Sequence, residues 1–459
     1  MRKKHIWLKT IVLLIPFILG TVGRRLAGER LGEAMYYSLG MYFMSYMDVA
    51  PNILVEIGRW MAPVMTASSI IMVAKSMYGE FQNKIKAIFH KGIAIYCQKE
   101  QREILSEAIP NAIFVKRGIR KDVKDHIICM GKDMVNLAIA ERIEKGNVYI
   151  ELEEINSFLM KPSAYHFFNK NEIIARKFWK EYSLVKENVS SYKIGIVGDN
   201  VLADMILKYG LMNNVYDLQQ QIEYHVYKLQ NQNYAQMEMA NADRIIYHEK
   251  ADESLYQMDR IIICEEHAIP LIENILYHTA ETCIFYYSES GEELEKIYAA
   301  DRVIAFGYDF YSKENIMPNA MYQNAQALNY HYECMYNGRD PKDPNRKKIM
   351  EQLYNELPGF LKGSNLAACD YHDIRCQMLE QDGNSEVVKD DKYVQLEHIR
   401  WCRFYYVNHW KYGNPKDKAE RDRLRIHKCL VPYDMLSRED KDKDLEMIRI
   451  LMEVCKDSV

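Results

Sequence analysis

Two unlike hydrophobic patterns divide the chain. Up to about residue 80 the apolar positions run on with few interruptions. Beyond residue 90 short apolar runs alternate with amphipathic stretches. The first run, Ile6 to Val22 (IWLKTIVLLIPFILGTV), holds one Lys and one Pro and sits near the lower length limit for a membrane-crossing helix. A cleaved leader is the alternative, with MRKKH as its basic start, but GRRLAGER after it is a poor cleavage site and a second apolar stretch follows. That second stretch, Ile53 to Met77, is interrupted by Glu56, Arg59 and Pro63 and has no charge from Trp60 to Ala74. Arg2, Lys3 and Lys4 precede the first run, and Lys84, Lys86 and Lys91 follow the second. Arg24, Arg25 and Arg30 between them are offset by Glu29 and Glu33. This balance predicts two spans in the inner (plasma) membrane with both termini cytoplasmic. Between the spans, Leu31 to Tyr46 is apolar and aromatic and ends near Asp48, which fits either a re-entrant segment or an interfacial hairpin in a two-span anchor.

From residue 91 the pattern is that of doubly wound α/β domains. A first set of strands is expected at Gly92–Tyr96, Ala112–Val115, His126–Met130 and Asn147–Leu152. A second is expected at Lys193–Val197, Ile222–Leu229, Arg244–His248, Arg260–Cys264, Thr282–Tyr287 and Arg302–Phe306. Residues 153–191, with SAYHFFNK and EIIARKFWKEY, read as helices. A dinucleotide site needs glycines at the first strand-to-helix turn so that the backbone can approach a pyrophosphate. The second domain offers Gly198-Asp199-Asn200-Val201-Leu202-Ala203, with Asn200 in the middle position and an acid beside it. The first offers Cys97-Gln98-Lys99-Glu100-Gln101-Arg102, with no glycine. Neither turn predicts dinucleotide binding in the usual mode. From about residue 312 onward the chain reads as helical.

The expected fold is therefore multidomain: a transmembrane region (1–80), a Rossmann-like domain (91–152), a helical connector (153–191), a second Rossmann-like domain (192–311) and a mainly α C-terminal domain (312–459). Over 459 residues, 48% hydrophobic and 27% charged positions exclude a disordered or coiled-coil chain, and a net charge of -4 argues against a broad nucleic-acid surface. The ten cysteines form no CxxC pair and mostly sit in apolar surroundings, which reads as reduced, buried thiols with zinc ligation as the lesser alternative.

Three segments resemble known families. GEAMYYSLGMYFMSYMD resembles the pore helix and filter of potassium channels, placing Phe43, Met44, Ser45 and Tyr46 at the filter and Asp48 after it. The family's TVGYG glycines are missing, so the resemblance implies a channel-like pore without potassium selectivity. The middle is similar to the tandem Rossmann-like (TrkA-N-type) domains attached to two-span potassium channels. LEHIRWCRFYYVNHWKYG and LRIHKCLVPYDMLSREDKDKD resemble the ryanodine-receptor (RyR) domain family through Glu397, His398, Arg400, Trp401, Trp410, Tyr412, His427 and the Leu430–Tyr433 run. Ser364, Asn365 and His372 fit upstream.

In that set, Trp401, Trp410 and Tyr412 offer stacking faces, Arg400 a fork for phosphate, and His398 and His427 donors to phosphate or ribose. With Glu397 and Asn365 they make a candidate site for a nucleotide-like ligand. The alternative is packing, with Glu397 and Arg400 as an intrahelical pair and Trp401 as core. Together the resemblances imply a ligand-gated membrane effector or ion-channel-like protein, not an enzyme, whose RyR domain senses a nucleotide-derived signal. The implied partners are the lipid bilayer and the small ligand, without nucleic acid. Enclosing a pore implies a homo-tetramer, and analogy with bacterial nucleotide-signal effectors admits a role in antiphage defence. No catalytic set, cofactor or metal site is expected. The alternatives are a non-conducting membrane-anchored scaffold and, with least support from the degraded turns, an NAD-dependent enzyme.

Overall fold

The computed structural model describes residues 2–45, 52–89, 92–187, 189–227, 234, 243–265, 268–289, 296–298, 301–308, 310–384, 386–388 and 391–454. The chain divides into two compact units, Met1–Lys91 and Gly92–Val459.

The first unit holds α1 (Arg2–Leu26), α2 (Leu31–Gly40), a 3-10 turn at Met41–Phe43 and α3 (Ile53–Phe89). Among the described residues, no helix is long and apolar enough to cross a membrane. This corrects the expected transmembrane fold, with its two spans and re-entrant segment, and the expected membrane location. Polar and helix-weakening residues divide the apolar runs: Pro16 lies inside α1, which ends on Arg24 and Arg25, and α3 carries the Glu56–Arg59 pair and Pro63. Thr66 and Ser69 donate to carbonyls one turn back within α3. Residues 6–13 of the first expected span have side chains outside the described set. Arg24 is buried, pairs with Glu29 at 2.8 Å and lies over the Tyr37 ring.

Of the filter residues, Phe43 closes the 3-10 turn, Met44 adopts a left-handed conformation (φ 58°) and is 80% exposed, and Ser45 is exposed. Tyr46 and Asp48 lie outside the described residues. Without spans, the filter assignment loses its basis.

The second unit begins with a five-stranded parallel sheet. It contains β1 (Ile93–Cys97), β2 (Ile113–Phe114), β3 (Asp125–Cys129), β4 (Asn147–Glu151) and β5 (His166–Phe168), with α4 (Arg102–Ala108) and α5 (Asp133–Ala140) in the crossovers. Its order is β2-β1-β3-β4-β5, one of the common doubly wound arrangements. β5 falls inside the segment expected to be helical. The aromatic run around His166 suits a pleated edge better than a helix, and His166 pairs with Tyr149 and stacks on its ring at 4.9 Å. Asp133 fixes the chain that leads there: its carboxylate accepts from the backbone N–H groups of Glu153, Glu154 and Ile155.

After α6 (Lys170–Glu181) comes a six-stranded parallel sheet. It comprises β6 (Ser191–Val197), β7 (Gln221–Tyr227), β8 (Arg244–His248), β9 (Arg260–Ile263), β10 (Cys283–Tyr287) and β11 (Val303–Phe306), with α7 (Val201–Asn213) and α8 (Ile269–His278). The order β11-β10-β9-β6-β7-β8 is that of the Rossmann sheet, with β6 first in sequence and central in space. Near-continuous apolar runs such as Ile261–Ile262–Ile263 are what a strand covered on both faces requires.

The C-terminal part contains α9 (Lys313–Ile316), α10 (Asn319–Asn337), α11 (Arg346–Glu356), α12 (Gly359–Gln381), α13 (Lys392–Tyr406), α14 (Lys418–Leu424) and α15 (Arg438–Val454). The short parallel pair β12 (Lys411–Tyr412) and β13 (Ile426–His427) joins them. One buried apolar cluster runs from Ile95 in the first sheet through Trp179 and Ile194 to Tyr371, Phe404 and Ile448 in the C-terminal helices. Trp179 is fully buried, donates to the Ile206 carbonyl at 2.8 Å and packs on α7 at Gly210, where an added Cβ would lie 2.8 Å from the indole. Gly210→Ala is expected to cost about 1–3 kcal/mol through overpacking. Urea unfolding reads this directly, and a loss below about 0.5 kcal/mol would contradict the contact.

Candidate functional site

The RyR-like residues separate into a buried group and a half-exposed one. α13 is amphipathic in an unusual way, because its inward face carries charge: Glu397, His398, Arg400 and Arg403 are all buried. Such groups persist only when paired. Arg400 Nε donates to Glu397 Oε1 at 2.8 Å, Arg375 of α12 donates to Glu397 Oε2, and both guanidiniums lie over the Tyr371 ring. Arg403 donates to the Leu211 carbonyl and to Asp243, tying α13 to the second sheet. His398 faces Asp444 at 3.2 Å through Nδ1 and the Val431 carbonyl at 2.8 Å through Nε2. Burial works against its charge, but the Asp444 and Cys402 interactions overcome this and hold its pKa up at about 10. Glu397, His398 and Arg400 thus face protein.

Trp401 is half-buried and meets Tyr405 at 4.3 Å and His427 edge-on at 5.0 Å. His427 Nδ1 accepts from the Cys429 N–H, and burial, then Arg421, brings its pKa down to about 4. The imidazole is therefore neutral. Trp410 is buried and stacks on Phe360 at 4.8 Å. Tyr412 is 52% exposed and pairs in register with His427. The structure thus brings Trp401, His427 and Tyr412 to one region. Asn365 sits half-buried on α12, two helical turns before His372.

The two strand-to-helix turns are occupied by their own side chains. Gly198 (φ 153°) would place a Cβ 3.2 Å from that of Cys264. Asn200 caps α7, accepting from the Ala203 N–H and donating to the Cys264 carbonyl. It takes the backbone donor that a phosphate would use. The pocket beside it, about 480 Å³, is lined by Glu153, Glu154, Glu172, Asp199 and Asp204 with Lys208. Burial raises Asp204 to about 6, against Lys208 and the Tyr234 hydroxyl. In the first domain Gln98 donates to the Met130 carbonyl across the equivalent turn.

A larger cleft, about 1090 Å³, opens between α6, the α9–α10 segment and α12, with Asn213 of α7 and Met452 of α15 at its margin. Its walls include Ile173, Arg176 and Lys177 from α6, Met317, Met321 and Asn324 around α10, and Cys369, Asp370, His372, Asp373 and Cys376 from α12. Arg176 forks onto Asp370 with two 2.7 Å bonds, and Lys180 pairs with Asp373. His372 is 6% exposed, its Nε2 lies 3.5 Å from Cys376 Sγ, and Nδ1 is buried with no hydrogen-bond partner in the structure. Burial, then Arg375, lowers its pKa to about 4, so the ring is neutral. Burial also keeps the Cys376 thiol protonated by raising its pKa.

Sequence reading had placed His372 within the RyR resemblance but assigned it no role, and it missed the α6 side of this cleft. The available signal was the Arg176–Lys177 pair, set between the apolar residues Ile173–Ala175 and Phe178–Trp179. Among the described residues no group of three or more His, Cys, Asp or Glu side chains is arranged to hold a metal. Comparison of the chain with protein-family models, with curated proteins and with solved structures gives no match.

Proposed function

We propose that the protein is a non-catalytic small-molecule sensor that takes its ligand in the cleft between α6, α10 and α12. The observation that carries this reading is the cleft itself, about 1090 Å³, walled by α6, α10 and α12 and large enough for a drug-sized molecule. Of the residues that carry the RyR resemblance, His372 lines this cleft, whereas Asn365 on the same helix does not. A binding role fits better than catalysis. The cleft pairs Arg176 with Asp370 and Lys180 with Asp373 and holds its Cys376 thiol protonated, and among the described residues no group hydrogen-bonds His372 Nδ1 to orient the ring beside that thiol.

The cleft joins the helix that leads into the second sheet with the helices of the C-terminal part. A ligand touching both α6 and α12 would favour the spacing it binds best, which is the requirement for a signal. The tetramer expected from pore geometry no longer follows once the spans are removed.

Thermal unfolding of the full chain tests this with a panel of nucleosides, nucleotides, ADP-ribose and cyclic dinucleotides. A binder at one hundred times its Kd stabilises by about 2.7 kcal/mol. The shift should persist in Trp401→Ala and vanish in Asn324→Trp, which fills the cleft. A shift lost in Trp401→Ala and kept in Asn324→Trp would move the site to the aromatic cluster and overturn the cleft.

A further inference from the structure

In the first unit α3 has two opposite sides. Val55, Gly58 and Ala62 are buried, with Val55 beside Gly23 of α1 and Gly58 beside the Pro16 carbonyl. On the other side Ile53, Ile57, Trp60, Val64, Ala67 and Ile71 are all exposed, the large side chains from 42% at Ile57 to 72% at Ile53 and Trp60. Their spacing alternates between four and three residues. At about 100° per residue, this holds all six within about 40° of one line along the helix. Charge stays off that line, because Glu56 and Arg59 pair with each other at 3.3 Å beside it. The exposed residues of α1 differ. Leu14, Ile18, Val22 and Leu26 step by four and drift about 40° each time, so they wind round the helix and form no seam.

A seam that repeats every seven residues fits another helix, knob into hole, in a left-handed crossing. Ile57, Val64 and Ile71 lie one heptad apart and are all β-branched, the choice at the a position that favours two parallel strands. Ile53, Trp60 and Ala67 then fall at d. In a parallel pair each layer meets its own counterpart, so the seam is complementary to itself. The five large side chains expose roughly 500–600 Å² per chain, at about 100 Å² each. Two copies set seam to seam bury roughly 1,000–1,200 Å², which reaches the area of about 1,000 Å² that a specific pair needs.

From this seam we propose that the chain pairs with a second copy of itself through α3, helix beside helix in parallel, with Ile57, Val64 and Ile71 each against its counterpart. The pairing is independent of the cleft, and either stands without the other.

Sedimentation of the full chain in detergent-free buffer tests this. At about 10 µM, above the Kd that an interface of this size can reach, the wild type should run at twice the 54.1 kDa of one chain. Ile57→Lys combined with Val64→Lys should run at the mass of one. Both positions are exposed, so the double variant should keep the helical circular dichroism of the wild type. Ile57→Cys and, separately, Ile71→Cys should each give a disulfide-linked dimer on mild oxidation, because α3 has no cysteine of its own and a parallel seam sets each residue against its copy. Cross-linking through Val64→Cys alone would overturn the parallel arrangement. A wild type that is monomeric, whether it stays in solution or adsorbs to phosphatidylglycerol vesicles, would overturn the pairing. So would a dimer that survives both lysines.

Discussion

Replacing Glu397 by alanine is expected to cost about 3–5 kcal/mol of stability, the typical loss when one member of a buried ion group is removed. Glu397 has no solvent exposure and accepts from two buried arginines, Arg375 on one oxygen and Arg400 on the other. Without it, two guanidiniums over the same Tyr371 ring repel each other in a low-dielectric interior with no carboxylate between them. Arg375 Nε and Nη1 and Arg400 Nη1 already lack hydrogen-bond partners in the structure, so little remains to absorb the loss. Denaturant unfolding measures the effect. The triple replacement Arg375→Met, Glu397→Leu, Arg400→Met should recover most of it, because an apolar set of similar volume removes the desolvation cost together with the attraction. A single-mutant cost below about 1 kcal/mol would mean that the group behaves as a solvated surface pair.

The second large effect is a loss of stability at alkaline pH governed by His398. Burial by itself would push both His398 and Asp444 toward their neutral forms. The geometry places the proton on the histidine: one ring nitrogen faces the Asp444 carboxylate and the other faces a carbonyl oxygen, which can only accept. The folded pKa of about 10 lies above the ordinary histidine value of 6.5. Such a shift stabilises the fold fully below about pH 6.5, and the contribution disappears as pH rises through about 10. Its size is on the order of 3–5 kcal/mol. Unfolding free energies measured between pH 6 and pH 10 should fall in the wild type and stay nearly level in His398→Gln. An equal slope in both would assign the alkaline loss to other groups.

These two expectations show where the sequence was readable. The strands were legible because buried parallel strands need unbroken apolar runs, and Ile261–Ile263 or Ile194–Val197 can serve little else. The degraded turn at Gly198–Ala203 was legible too, since a middle Asn has a side chain where a phosphate-binding turn needs none. The edge strand at His166–Phe168 was not, because three residues are too few for a period and only pairing with β4 decides their state. The N-terminal runs misled for a different reason. Apolar length was visible, while the effect of Pro16, Arg24, Glu56 and Arg59 in dividing it weighs more in the folded helices.

The site was only half legible. Glu397, His398 and Arg400 have the chemistry of a ligand site, but helical spacing cannot tell which face of α13 is inward. Burial commits them to Arg375, Asp444 and the Val431 carbonyl. The cleft joins residues about two hundred positions apart, Arg176 with Asp370, and no local pattern announces such a pairing.

Covalent labelling of Cys376 tests the central claim most directly, because its thiol lines the cleft beside His372 and is half-buried. Alkylation of the full chain, followed by peptide mass spectrometry, gives a rate for each cysteine with and without the panel compound that shifts the melting temperature most. With the ligand at ten times its Kd, Cys376 should react about tenfold more slowly, while Cys429, which does not line the cleft, keeps its rate. A bound compound that leaves the Cys376 rate unchanged, or that protects Cys429 instead, would contradict the cleft as the binding site.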